Sequence, residues 1–247
     1  RALNRDVVFL ATADEEAGGF YGAGWLIENR PEIFEGIGLL INEGGAGSVS
    51  GDEIVFGVEV TQKVPVWLRL NAIDVPGHGS SPRATTSVLR IVEALNRIKE
   101  NPFEPRIIPA VDAYFSGLAV SMDDDWAQAY ADMGRAITDP EFLPALQDFR
   151  PGHHALTRDI CSITRMGGSS KINTIPPEAW AELDCRMLPD RPAEELIADV
   201  EALLEGTGVN VEVIMAFTPA ISTTNSTLFE SIVNVTGELY PGSQVLS

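Results

Sequence analysis

Residues 64–74, VPVWLRLNAID, alternate apolar and polar side chains as a half-solvated strand does, and run through the turn cluster VPGHGSSP (75–82). TTSVLRIVEALNRIKEN (85–101) follows, with Val88, Ile91, Val92, Leu95 and Ile98 at helical spacing behind a Ser/Thr start, which predicts a helix. Further along, ICSITRMGG (160–168) and EAWAELDCRML (178–188) read as two strands joined by a loop. AEELIADVEALLEGTG (193–208) predicts a second helix closed by glycine, and VNVEVIMAF (209–217) a last strand. The order β, α, β, β, α, β is the split βαβ arrangement of a small four-stranded layer.

Ahead of this block, VVFLAT (7–12) is a short apolar run, ADEEAGG (13–19) a turn, and YGAGWLIEN (21–29) a helix candidate; FEGIGLLINEGG (34–45) repeats the apolar run with an acidic end. Strand, polar turn, helix, strand is the rhythm of an open α/β sheet, whose ligands sit beyond the carboxyl ends of its strands. Both acidic turns would open onto one crevice. The stretch 101–158 is too long for a simple connection and implies a local subdomain or a functional insertion. It holds Asp123, Asp124 and Asp125 and the pair His153 and His154. Adjacent side chains diverge, so a solvated turn is expected there rather than a metal site. NSTLFESIVNVTGELYPGSQVLS (225–247) predicts a helix with Leu228, Ile232, Val235 and Leu239 on one face, then a turn and a strand-like end.

The 247 residues carry 36 Asp plus Glu against 17 Lys plus Arg, a formal net charge of −19. Nucleic acid and anionic membrane surfaces are excluded as expected partners, because both need clustered cations. With 45% hydrophobic and 21% charged residues the chain can bury a core. No apolar run reaches the roughly 18 residues of a membrane span. Cys161 and Cys185 exclude a disulfide scaffold and a Cys-rich metal module. If their strands pair antiparallel they share a phase with Ile163, Ala181 and Leu183, and both are expected to be reduced core residues. A soluble chain is expected, the cytoplasm slightly favoured and the compartment otherwise open; sequons at Asn225 and Asn234 are too common to argue for secretion.

The chemistry concentrates at Asp14, Glu15 and Glu16, followed by Gly18 and Gly19. Consecutive carboxylates repel, so at a crevice they suit a bound cation or a base of shifted pKa; the bland alternative is a solvated acidic turn. Glu43 is a second acid at the end of a second candidate strand, able to supply a carboxylate ligand to the same cation or to remain a loop acid. His78 is bared by flanking glycines. Arg186 could present a fork to a carboxylate or pair with Asp184 or Asp190, and Asn173 could be a substrate donor or a turn residue.

The strings ATADEEAGG, LLINEGG, VPGHGSSP and GGSSKINTIPPEAWAELDCRMLP, in this order, resemble the zinc aminoacylase and carboxypeptidase family, which includes carboxypeptidase S, glutamate carboxypeptidase, acetylornithine deacetylase and succinyl-diaminopimelate desuccinylase. The resemblance implies an open α/β two-zinc catalytic domain interrupted by a βαββαβ lid, which often dimerises. Residues 1–61 would belong to the catalytic domain, 62–216 to the lid with an insertion at about 101–158, and 217–247 to the returning catalytic segment. By resemblance, Glu15 is the general base, Glu16 and Glu43 are zinc ligands, His78 is the lid histidine that stabilises the oxyanion, and Asn173 and Arg186 hold the substrate carboxylate. The substrate would be a small peptide or an N-acyl amino acid, and the partner a second copy of the chain.

The family's His-x-Asp motif, its bridging Asp and its late His have no counterpart, so the chain resembles the middle of a larger enzyme and is expected to hold zinc weakly and to be inactive alone. The rival is a non-catalytic dimerisation or carboxylate-binding module. A serine or cysteine hydrolase is disfavoured, since no GxSxG elbow is present.

Overall fold

The computed structural model describes residues 3–50, 53–122 and 125–247. Asp123 and Asp124 lie outside the described residues, while Asp125 is exposed in a turn. The chain divides into two compact units, residues 1–43 and 44–247.

In the smaller unit a wide turn, Phe20–Gly24, leads into helix α1 (Trp25–Asn29), as the sequence predicts. Gly22 is buried there because a Cβ would lie 1.9 Å from the Ala13 carbonyl oxygen. The strands expected at 7–12 and at the apolar run before Glu43 are not formed. A strand exists by its ladder, and no described residue of this unit supplies one. Val7, Val8, Phe9 and Leu10, and Leu40 and Ile41 after them, consequently stay exposed to solvent.

The larger unit opens with β1 (Ala46–Ser50) and β2 (Glu53–Gly57), then β3 (Val64–Ile73), β4 (Gly77–His78) and α2 (Ser87–Glu100). Five helices follow, α3 (Pro109–Ser121), α4 (Ala127–Tyr130), α5 (Met133–Ala136), α6 (Phe142–Phe149) and α7 (Pro151–Ala155). The chain then forms β5 (Ile160–Gly167), β6 (Thr174–Ile175), β7 (Glu178–Met187), α8 (Ala193–Leu204), β8 (Val209–Ala216), α9 (Thr227–Leu239) and β9 (Gln244–Leu246).

The expected βαββαβ layer is β3, α2, β5, β7, α8, β8. Its sheet order is β5-β7-β3-β8, with every neighbouring pair antiparallel. Strand alternation decides its core. Val66, Leu68 and Leu70 of β3 and Ala181, Leu183 and Met187 of β7 are buried on one face, against Ile91 and Ala94 of α2 and Leu196 and Val200 of α8. Each such large apolar side chain contributes about 1.5–3 kcal/mol by leaving water. Thr86 starts α2 as an N-cap, its hydroxyl accepting from the Leu89 amide at 3.2 Å. Val88 and Val92 depart from the predicted core stripe: with Leu89 they form a second, exposed apolar stripe.

Cys161 lies directly opposite Cys185 in the β5–β7 register, and the two sulfurs are bonded. This corrects the reduced expectation: the shared phase not only turns both side chains toward the core, Cys185 buried and Cys161 partly so, but sets their Cβ atoms at cross-strand contact.

The 101–158 stretch is a helical subdomain with its own core of Phe115, Tyr130, Met133 and Leu146, closed by Leu188 from beyond β7. The solvated turn expected at His153 and His154 is not observed. His154 is buried, and the His153 ring packs on Phe115 and Tyr130, its Nδ1 2.5 Å from the Tyr130 hydroxyl. Burial pushes both imidazoles below their ordinary pKa, helped by Arg150 at His153 and by Arg158 and Lys63 at His154.

A second sheet joins β1 to β2 antiparallel and β2 to β9 in parallel, while Thr61 bridges Ile221 and donates from Oγ1 to the Ala220 carbonyl at 2.7 Å. The chain therefore leaves for the βαββαβ layer and returns through one narrow neck. No helix among the described residues is long and apolar enough to cross a membrane.

Candidate active site

Asp14 is the pivot of the acidic turn. It is the one described non-glycine residue with positive φ, at 72°, a conformation that short polar side chains tolerate best. Its carbonyl accepts from Ala17 at 3.2 Å and Gly19 at 2.6 Å, and its Oδ2 accepts from the Tyr21 amide at 3.0 Å. Gly18 and Gly19, with φ of 107° and 70°, complete the reversal. Asp14 is thus committed to the backbone, and the following short turn, Glu15–Ala17, presents Glu15 and Glu16 to solvent. Glu43 is exposed in the loop before Gly44. Among the described residues no three His, Cys, Asp or Glu side chains stand close enough to hold a metal ion. Two or three solvated carboxylates are a poor zinc site, since that ion prefers nitrogen and sulfur donors in a closed tetrahedron.

His78 and Asn173, 95 residues apart in sequence, are brought together. The two-residue strand β4 pairs with β6, His78 opposite Thr174, and the Gly79 amide donates to the Asn173 carbonyl at 2.9 Å. Both side chains are exposed. The Ser80 amide donates to His78 Nδ1 at 3.3 Å, with the Ser80 hydroxyl 2.8 Å from the same nitrogen. An amide N–H can only donate, so Nδ1 accepts and the neutral ring carries its proton on Nε2, aimed outward as a donor. Ser80 was not singled out in the sequence; its place two residues after the histidine was the available signal.

Arg186 stands elsewhere. It is eight residues beyond Glu178 on β7, roughly 26 Å from the β4–β6 end at about 3.3 Å per residue. Of its two predicted acidic partners Asp184 holds it, Nε donating at 2.8 Å and Nη2 at 3.2 Å, whereas Asp190 is taken by Arg106. Nearby, Lys63 Nζ donates to the carbonyls of Ala155 and Arg158 at 2.5 and 2.6 Å. Burial pushes this amine down to about 8, against the opposing pull of Asp159. Asp159, its side chain fully buried, accepts from Arg106, Arg191 and the Leu188 amide.

Residues 60–212 match the peptidase dimerisation domain of the M20 peptidases, more than half of the chain, and the chain belongs to that family. It is 27% identical over 213 residues to the N-fatty-acyl-amino acid synthase/hydrolase PM20D1 of Xenopus tropicalis, covering 83% of this chain and 41% of the relative. It is 23% identical over 249 residues to the probable carboxypeptidase S-like 2 of Dictyostelium discoideum, covering 96% and 46%. The crystal structure of human carnosine dipeptidase 1 superposes with a TM-score of 0.50 at 13% identity, covering 92% of this chain and 50% of that one. The chain thus spans less than half the length of these curated relatives. Its fold is that of the M20 peptidases, an α/β architecture carrying a βαββαβ dimerisation domain.

Proposed function

We propose that this chain is part of a zinc-dependent metallohydrolase, an exopeptidase or N-acyl amino acid amidohydrolase, that cleaves an amide beside a free carboxylate. The observation that carries the reading is the β4–β6 ladder, which in a chain of this family sets an outward Nε2–H of His78 beside Asn173. In this reading residues 62–216 are the lid, and 1–61 with 217–247 belong to the catalytic domain. The neck at Thr61 and Ile221 supports that division.

Glu15 is the base that takes a proton from the attacking water; its carbonyl accepts from the Gly18 amide, while the side-chain bond that holds the turn is made by Asp14 and not by the Glu15 carboxylate. His78 donates from Nε2 to the oxygen on which charge develops, with Ser80 holding the tautomer. Asn173 and Arg186 bind the substrate carboxylate, Arg186 with its guanidinium plane set by Asp184. Glu16 and Glu43 are the carboxylates offered to zinc. They do not make a zinc centre by themselves. The 247 residues alone are therefore expected to be inactive.

His78 and Arg186 stand too far apart in one protomer to touch one small substrate. They serve one site when two lids pair, so that His78 of one protomer reaches the site that holds Arg186 of the other, which calls for a homodimer. The outer strand β5 and the exposed stripe of Val88, Leu89 and Val92 on α2 offer the surface for it. The test is complementation in the full-length polypeptide, mixing inactive His78→Ala and Arg186→Ala proteins. A site that takes His78 from one protomer and Arg186 from the other gives each mixed dimer one intact site, restoring up to about a quarter of wild-type turnover after random re-pairing. No recovery from a mixture shown to contain mixed dimers refutes the shared site.

A further inference from the structure

The face of the βαββαβ sheet opposite its buried core is polar by strand phase. Trp67, Arg69 and Asn71 of β3 share it with Trp180, Glu182, Asp184 and Arg186 of β7. Arg69 is engaged by Glu182 and Asn71 by Glu212, and Trp180 lies under the Arg69 guanidinium at 4.3 Å. Trp67 is engaged differently, through its ring nitrogen.

Trp67 stands directly opposite Asp184 in the β3–β7 register and donates from Nε1 to Asp184 Oδ1 at 3.0 Å. An indole N–H can only donate, so the bond fixes the rotation of the carboxylate. Asp184 in turn accepts twice from Arg186, Oδ1 from Nε at 2.8 Å and Oδ2 from Nη2 at 3.2 Å. Side-on pairing of this kind occupies Nε–H and one Nη2–H. It leaves the end-on fork, Nη1–H with the other Nη2–H, for a planar acceptor. With 41% of its side-chain surface exposed, Arg186 is within reach of a ligand. Its register partners, Pro65 and Ile160, carry no polar side-chain atom that could set the guanidinium instead.

We propose that Trp67 is a positioning residue for carboxylate recognition: its indole N–H locks Asp184 and, through Asp184, the plane of the Arg186 fork. Trp67 itself touches no substrate. The inference goes one residue beyond the amide-hydrolase reading and rests on it for the role of Arg186. An arginine on a free stem surrenders rotamer freedom when it grips a ligand, whereas one already held surrenders little. Asp184, with 33% of its side chain exposed, can hold Arg186 only while its own carboxylate does not turn to water.

The test uses the full-length polypeptide and two substrates, an N-acyl amino acid and its primary amide, which differ only in the terminal carboxylate. Trp67→Phe and Trp67→Leu both delete the indole N–H. Whichever keeps the wild-type thermal midpoint is expected to raise KM for the carboxylate substrate about three- to tenfold with little change in kcat, and to lower its preference over the amide by the same factor. The effect is smaller than the full worth of a charged hydrogen bond because the bond acts at one remove. In an Asp184→Ala background the Trp67 substitution is expected to change nothing further, a non-additivity that a packing role would not produce. An unaltered KM, beside an Arg186→Ala enzyme that has lost the preference, overturns the inference and leaves the hydrolase reading standing. A fully additive effect in the Asp184→Ala background overturns it as well. An Arg186→Ala enzyme that keeps the wild-type preference overturns the assignment of Arg186, and the inference with it.

Discussion

Replacing Asp159 with Asn should cost about 3 kcal/mol of stability. The carboxylate is fully buried and accepts five hydrogen bonds, two from Arg106, two from Arg191 and one from the Leu188 amide. Removing one partner of a buried pair costs about 3–5 kcal/mol, because the remaining charge is left uncompensated. Here the lower end applies. Arg106 keeps Asp190 and Arg191 keeps Asp199, and both guanidiniums reach solvent, with 30% and 20% of their side-chain surface exposed. For a domain of this size 1 kcal/mol moves the midpoint by about 2–4 °C, so calorimetry near neutral pH should show a drop of roughly 6–12 °C. Asp199→Asn removes a half-exposed partner and should stay within about 1 kcal/mol. A drop below about 2 °C for Asp159→Asn would refute the claim that this carboxylate ties the helical subdomain to the βαββαβ layer.

Other outcomes follow from single contacts. Replacing both Cys161 and Cys185 with Ala should cost about 3 kcal/mol, from releasing a loop closed across 24 residues, and denatured native protein should show no thiol reactive to Ellman's reagent; two reactive thiols would contradict the bond. The Arg106 hydrogen bond holds the Asp190 carboxyl below its ordinary pKa. Its stabilisation is therefore complete above about pH 4 and is lost as pH falls through the lower folded value, so Asp190→Asn should flatten the acid limb of a midpoint-against-pH curve. Ser80→Ala should leave stability unchanged and lower kcat of the full-length enzyme several-fold, with an altered pH profile, because the Nε2 tautomer is then less well held; an unchanged kcat and profile would remove Ser80 from the site.

The βαββαβ layer was legible because period-2 and period-3.6 patterns each ran for eight residues or more, in β3, α2, β7 and α8, long enough for one reading to win. Where elements are short or need distant partners, the pattern was mute. Helices α4, α5 and α7 span only four or five residues, so nothing local announced that His153 and His154 belong to an aromatic core. The apolar runs at 7–12 and before Glu43 had strand character without a ladder to complete it. The two cysteines could be placed on one phase but not bonded, because phase fixes the face and only register fixes the partner. The candidate site shows the same division. His78 and Asn173 were each visible in their turns, whereas their pairing depends on a two-residue ladder. For Arg186 the spacing left Asp184 and Asp190 both open, and Asp184, two apart on the same strand face, is the one that holds it.

The most direct test of the account measures hydrolysis of an N-acyl amino acid and zinc content together, in the full-length polypeptide and its Glu15→Ala variant. The account predicts that turnover falls by about a hundredfold or more, the contribution expected of a general base, while zinc per chain is unchanged. Undiminished turnover in Glu15→Ala would contradict it.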